Sequence, residues 1–440
     1  MDKFFKLSEN KTSVKIEIIA GITTFLSMAY ILVVNPLTLA DAGMDPGAVF
    51  TATAISAIIA TLIMGLYANF PVALAAGMGT NSFLAYSVVL GMGYTWQDGL
   101  FAIFISGLLF ILLSATGLRA IIINAIPRSL KYATSAGVGL FIAFIGMQNS
   151  GIIVDNEGIL VGLGDLTSPP VLLAVIGLFI TMFLVARGTK AAIFVGMAIT
   201  TVLGILMQFV GMDTGIVVPE AVLSAPPSLE PVFGRIFTDV HAFELLTDLR
   251  FWAVIISFLF VDFFDTAGTL VAVGSEAGFI GEDGNLDGAS RTLMADATAT
   301  TFGAVIGTSS VTAYVESLSG VKAGGRTGLT AVVVAVCFAI ALFFSPLLAV
   351  VTSSVTAPAL ITVGTLMAVN KGKVNYENYA DTAASFLTML LMVVSYSIAT
   401  GLAAGIITYT VLKIAQKEQD ELHPILYVLT VFFMFYFIVI

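Results

Sequence analysis

Long apolar runs, each closed by polar residues, glycine or proline, follow one another along almost the whole chain. Runs of about 20 such residues match the thickness of a bilayer's hydrocarbon core and predict crossing helices. Seven segments come first: Ile16–Val34, Val49–Tyr67, a broken segment Pro71–Leu90, Leu100–Gly117, Leu130–Ile145, Val171–Ala186 and Ala191–Val210. A short amphipathic piece, Arg119–Ile126, sits between the fourth and fifth. After a long connection from Gly211 to Asp248 come seven more. These are Phe251–Val273, Ser290–Ile306, a second broken segment Ser309–Val321, Thr327–Leu348, Val355–Ala368, Ala383–Ala399 and Leu402–Ile414. The expected fold is an all-α polytopic membrane protein of 14 transmembrane segments. The two sets share a layout, and because seven is odd, two such repeats must be inverted relative to each other.

The third member of each set is short, interrupted by glycine and polar at its middle. In segment 3, Pro71, Gly77 and Gly79 argue for an extended piece followed by a half-helix from about Gly79–Thr80. In segment 10, alternation over Thr312, Tyr314 and Glu316 predicts a short strand, with a half-helix from about Val315–Glu316. Non-helical backbone at membrane depth is tolerated only where protein or an aqueous cavity satisfies it. Paired interrupted segments therefore mark a transporter's binding site.

Charge gives the orientation. With the amino terminus in the cytoplasm, all of the 18 cations except Arg235 and Arg250 fall on the cytoplasmic side, including Arg119, Arg187 and Lys190. The opposite loops are acidic (Asp41, Asp45, Asp98, Asp155, Glu157, Asp165). The apolar tail Pro424–Ile440 has no counterpart in the repeat, and a helix packed outside or lying in the interface is expected there.

Composition agrees: 58% hydrophobic and 10% charged residues exclude an ordinary soluble domain. One cysteine, Cys337, and two histidines, His241 and His423, leave no disulfide framework and no set of soft metal ligands. No cofactor is expected, and the net charge of -10 does not suit nucleic acid.

The chemistry lies in a few acids inside apolar segments. Asp262 and Asp265 stand three residues apart in segment 8, so a helix puts them on neighbouring positions of one face, with Thr269 a turn further on. Phe260, Phe263 and Phe264 flank that stripe. An ionisable residue at this depth is a functional candidate by default. Asp262 either takes part in coupling or braces its neighbour, and Asp296 in segment 9 either bonds a neighbouring helix or touches substrate. Asn81 and Glu316 are ligand contacts or helix caps, and Tyr314 is a contact or plain packing. No Arg, Lys or His is expected at the centre, which disfavours an anion and suits a neutral, planar ligand rich in N–H groups, as purines and pyrimidines are. Burial favours the protonated form of a carboxyl group, so a buried acid offers a route to proton coupling.

The stretches Ala20–Tyr30 ending in Asn35–Pro36, Gly77–Asn81, Val261–Gly268 and Ala313–Ser319 resemble the AzgA-like purine permeases of the nucleobase/ascorbate transporter superfamily. The resemblance implies two inverted seven-segment repeats with proton symport of adenine, guanine or hypoxanthine. It implies a core domain from residues 14–117 and 249–350, a gate domain from 118–210 and 351–416, an external connection 211–248 and an apolar segment 417–440. It implies substrate contacts at Asp265, Thr269, Glu316, Asn81, Thr80, Tyr314, Ser317 and Phe264, and proton coupling through Asp262, Asp265, Glu316 and Asp296. Thr269 stands where some relatives carry histidine, which puts pyrimidine selectivity in doubt. The implied partners are a purine base and the bilayer of the cell membrane, with a homodimer as a further expectation. Uracil, xanthine or an anion such as sulfate is the alternative cargo, and a passive channel the alternative mode. An aspartyl intramembrane protease fits poorly, since Asp262 and Asp265 share one helix.

Overall fold

The computed structural model describes residues 1–116, 126–156, 158–189, 191–217, 221–279 and 288–439. The amphipathic piece beginning at Arg119, the residues at the expected 117/118 boundary, Glu157 and Lys190 lie outside these, as does the side chain of Phe264.

The first segment consists of α1 (Val14–Met28) and α2 (Ile31–Ala40), separated by a tight turn at Ala29–Tyr30. Next come α3 (Pro46–Ile63), strand β1 (Leu74–Ala76) and α4 (Met78–Ser82), which continues as a π helix over Phe83–Gly91. Then follow α5 (Trp96–Thr116), α6 (Arg128–Asn149), strands β2 (Ile153–Asn156) and β3 (Leu160–Leu163), α7 (Pro169–Ala186) and α8 (Ala192–Phe209). The second half holds α9 (Leu249–Ala277), α10 (Ala289–Ile306), strand β4 (Val311–Ala313), α11 (Ser317–Lys322) and α12 (Gly328–Ala341). It ends with α13 (Ser353–Ala368), α14 (Tyr379–Val394), α15 (Ile398–Ala415) and α16 (Pro424–Val439). Among the described residues, nine helices are long and apolar enough to cross a membrane.

Local chemistry fixes many of the starts. Ser13, Asp45, Thr327, Asn378 and Ser397 each accept a backbone N–H in the first turn of the helix they precede. Pro46 follows Asp45 at a position where its missing N–H costs nothing.

The structure departs from the sequence reading in several places. Segment 1 does not end at Asn35–Pro36, because α2 carries Pro36 inside it and runs on to Ala40. The break between segments 13 and 14 falls at Ser395–Ser397, not at Thr400–Gly401. There Tyr396 takes a positive φ of 56° and Ser397 caps α15. Gly401 is instead a packing residue, since a Cβ there would come within 2.6 Å of the Thr388 carbonyl. Segment 11 tightens into a 3-10 helix, Leu342–Val350, around Pro346. The β2–β3 hairpin lay unrecognised in a polar connection.

Helices fall into two packing groups. In one, α1 packs on α11 and α12, α3 on α2, α10 and α12, and α5 on α9 and α10. In the other, α6 packs on α13 and α14, α7 on α8 and α13, and α14 on α15. The tail helix α16 lies against α15 and α9, with Leu426 and Phe433 buried and Thr430 donating to Thr410 at 2.9 Å.

One fully buried acid holds the first group together near the chain's start. Glu17 accepts from the backbone N–H of Arg326 (2.9 Å), Thr327 (3.3 Å) and Thr330 (3.1 Å), and from the Thr330 hydroxyl (2.5 Å). These are orphan donors at the start of α12, so α1 supplies the cap of a helix more than 300 residues away. Glu17→Ala removes the acceptor of the Arg326 and Thr327 N–H groups, at a cost of about 1–3 kcal/mol for each buried donor, while Thr330 N–H keeps the Thr327 carbonyl at 3.1 Å. The variant is expected to melt several degrees lower in detergent, whereas an unchanged melting temperature contradicts this role.

Candidate functional site

The two broken segments meet. β1 and β4 pair antiparallel, Leu74 opposite Ala313, Ala75 opposite Thr312 and Ala76 opposite Val311. The ribbon is extended by Gly77 N–H donating to the Ser310 carbonyl (2.8 Å) and Tyr314 N–H to the Ala73 carbonyl (3.0 Å). Each strand leads into a half-helix, α4 after Gly77 and α11 after Glu316. Gly307, at φ 100°, lets the chain leave α10 and turn into β4. Gly320 lets α11 lie directly on α1, since a Cβ there would come within 2.7 Å of the Ala20 carbonyl.

In this register the peptide groups of Leu74, Ala76, Val311 and Ala313 face away from the partner strand. Side-chain hydroxyls meet five of these groups. Thr61 Oγ1 bonds both the N–H and the carbonyl of Leu74, each at 3.0 Å. Tyr314 OH donates to the Ala76 carbonyl at 2.5 Å, and Thr300 Oγ1 lies 2.9 Å from the Val311 carbonyl. Ala313 N–H points at Thr266 Oγ1 (3.4 Å), and Ala73 N–H at Ser317 Oγ (3.0 Å).

Placed on this frame, the sequence candidates separate. Glu316 stands immediately before α11 without a side-chain capping bond to it, and accepts from Tyr30 OH at 2.6 Å. Asp265, Glu316, Tyr30 and Tyr314 lie within electrostatic reach of one another. The strand is shorter than the alternation suggested, so Tyr314 and Glu316 lie beyond it. Tyr314 turns its hydroxyl back on β1 and Ser317 serves the same ribbon. Thr80 donates to the Gly77 carbonyl (2.9 Å) and tightens the start of α4. Thr269 is buried on α9 one turn past Asp265.

The neighbours Asp262 and Asp265 do not share a task. Asp265 and Glu316 are half-buried, whereas Asp262 and Asp296 are 2% and 0% exposed. The latter two clasp α9 to α10 crosswise: Thr266 donates to Asp296 (2.7 Å), and Thr300 Oγ1 lies 2.8 Å from Asp262 Oδ2.

Residues missed in the sequence complete the site. Tyr30 looked like one aromatic in an apolar run, yet it holds Glu316. Asn35 donates to Thr53 (2.7 Å) and Thr308 (2.9 Å), and Ser309 donates to Asn81 Oδ1. Within the described residues, the Asn81 Nδ2 and Asn35 Oδ1 atoms are buried without a hydrogen-bond partner. A buried amide donor so placed is one that a ligand or water fills. Asn81 was among the sequence candidates; for Asn35 the only signal was an amide inside an otherwise apolar segment.

Comparison with known proteins extends the picture. A model described as a permease family, Xan_ur_permease, matches residues 15–404. The chain is 48% identical over 447 residues to the guanine/hypoxanthine permease PbuG of Bacillus subtilis (strain 168), covering 100% of this chain and 99% of that one. It is 42% identical over 434 residues to the adenine permease AdeP of Escherichia coli (strain K12), covering 99% and 95%. The solved transmembrane domain of a cyanobacterium bicarbonate transporter, BicA, matches with a TM-score of 0.64 at 15% identity, covering 89% of this chain and 97% of that chain. At that identity the likeness shows the fold alone. The protease reading falls away with these matches. A multi-pass membrane protein with two paired broken segments at its centre, this chain belongs to the permease family, as its motifs indicated.

Proposed function

We propose that this chain takes up purine nucleobases by proton symport, with Asp265 and Glu316 shared between the base and the proton. The observation that carries this is that these two acids are only partly buried while Asp262 and Asp296 are shut into helix contacts. The hydroxyls of Tyr30 and Tyr314 stand near them, and α4, which carries Asn81, packs on α9. Among the described residues, the buried cation is Lys413, which pairs with Glu418 and Glu421 at the end of α15. Such a site offers acceptors to ring N–H groups and no countercharge to an anion. The names of PbuG and AdeP point to the same class of cargo.

The reading extends to the architecture. Fourteen segments in two inverted repeats account for β1–α4 and β4–α11 as equivalent units meeting antiparallel. The two packing groups then act as core (14–117 and 249–350) and gate (118–210 and 351–416), with 211–248 outside and the amino terminus in the cytoplasm. The cell membrane is the proposed location and a homodimer the proposed assembly. Alternating access moves core against gate, so contacts between them must break. Side-chain hydrogen bonds that join them come from neighbouring residues of the π helix: Tyr86 accepts from Asn149 (2.7 Å), and Ser87 donates to the Tyr396 carbonyl. Both lie at the end carrying the acidic loops, so on this reading they join core to gate on the outer side.

The direct test is uptake of radiolabelled hypoxanthine, guanine and adenine into proteoliposomes with and without an inward proton gradient. Gradient-driven uptake of at least one purine is expected; well-folded protein that carries none overturns the proposal. Asp265→Asn and Glu316→Gln each remove a charge-assisted contact and are expected to lower uptake about 10- to 100-fold. Wild-type rates in either variant count against the assignment. Tyr30→Phe frees Glu316 without removing it, and a rise in KM of about fivefold is expected, matching a hydrogen bond of about 1 kcal/mol. An unchanged KM contradicts the role of Tyr30. Joining cysteines placed at Tyr86 and Asn149 with a short bifunctional thiol reagent, in a Cys337→Ser background, is expected to stop uptake. Full activity of the joined protein rules out movement at that contact.

A further inference from the structure

We propose that Asp262 is a neutral carboxylic acid that donates a hydrogen bond to Thr300, and that it positions β4 rather than carrying the coupled proton. The proposal rests on the transport reading above for its second half only; the first half is a matter of counting protons. Thr300 Oγ1 lies 2.8 Å from Asp262 Oδ2, 2.9 Å from the Val311 carbonyl oxygen and 3.3 Å from Ser310 Oγ. A threonine hydroxyl has one proton to give. The Val311 carbonyl has none, faces away from β1, and is fully buried in a membrane protein, where it requires a donor. The Thr300 proton therefore goes to Val311. The short contact from Thr300 to Asp262 then needs its proton from the carboxyl group. An ionised Asp262 would draw the Thr300 proton to itself and leave the Val311 carbonyl facing a bare oxygen.

The other acids nearby along α9 and α10 are Asp265 and Asp296. Cations of the helices packed against α9 stand in end turns: Arg128 and Lys131 of α6, Lys322 of α11 and Lys413 of α15, with Arg291 early in α10. The hydrogen-bond chain from Asp262 through Thr300 to Val311 ends on the strand that leads to Tyr314 and Glu316. Asp262 thus acts on the site through β4, and is a positioning residue.

The test joins infrared spectroscopy of purified full-length protein, labelled with carbon-13 aspartate, to proteoliposome uptake. A carbonyl stretch from a protonated aspartic acid is expected at neutral and at alkaline pH. It should be absent in Asp262→Asn and displaced in Thr300→Val, where the acid loses its acceptor. Asp262→Asn keeps a donor toward Thr300, so gradient-driven accumulation is expected within about threefold of wild type. Asp262→Leu has no donor and is expected to raise KM. Two results overturn the proposal. One is a folded Asp262→Asn protein that exchanges purine by counterflow yet no longer accumulates it with a proton gradient. The other is an acid band identical in wild type and Asp262→Asn. If that variant does not fold, a band unmoved in Thr300→Val decides against the proposal. The infrared result is readable whether or not purines are the cargo, so its failure is distinct from failure of the transport reading.

Discussion

Everything at the centre of this protein depends on keeping two extended stretches of backbone inside a membrane. Peptide groups there have no bulk water to turn to, and each one left alone costs several kcal/mol. Pairing β1 with β4 serves only the groups that face inward. Five of the outward ones are met by hydroxyls from four different elements: Thr61 of α3, Thr266 of α9, Thr300 of α10 and Tyr314 next to β4. Hydroxyls suit the task because one oxygen both donates and accepts, as Thr61 does for Leu74.

The site follows from that frame. Because the ribbon is held along its length, the half-helices α4 and α11 start at fixed places, and Asn81 in α4 and Glu316 just before α11 are carried on elements that pack beside α9. The cap that Glu17 provides for α12 fixes α1 against the second half of the chain. On that same segment, Tyr30 is thereby held opposite Glu316. The polar atoms of the centre are therefore of two kinds. Those of the ribbon and the α9–α10 clasp are consumed by structure, while Asp265, Glu316 and the Asn81 amide retain capacity for a guest.

Much of this was legible in the sequence. Pro71, Gly77 and Gly79 cannot sit quietly in one continuous helix, and acids in apolar segments stand out by their cost. Segment 2 was legible as a span from Val49, but its true start at Asp45–Pro46, where a capping acid meets a proline, was not read. What else escaped notice shares a physical cause: a partner distant in sequence decided the outcome. Tyr30 is unremarkable until Glu316, 286 positions away, accepts its proton. Gly401 read as punctuation because nothing local shows that α14 packs against it. Spacing put Asp262 and Asp265 on one face, but only the location of Thr300 and Glu316 shows that the two carboxyl groups serve different partners.

The central claim is that a neutral base and a proton share one pair of acids. Calorimetric titration of purified wild-type protein with hypoxanthine, guanine and adenine, repeated in two buffers of different ionisation enthalpy, measures binding and proton exchange together. Saturable binding of a purine with net proton uptake, lost in Asp265→Asn, is the result this account predicts. Binding whose heat is the same in both buffers at every pH would contradict it, because the base would then be held without the proton.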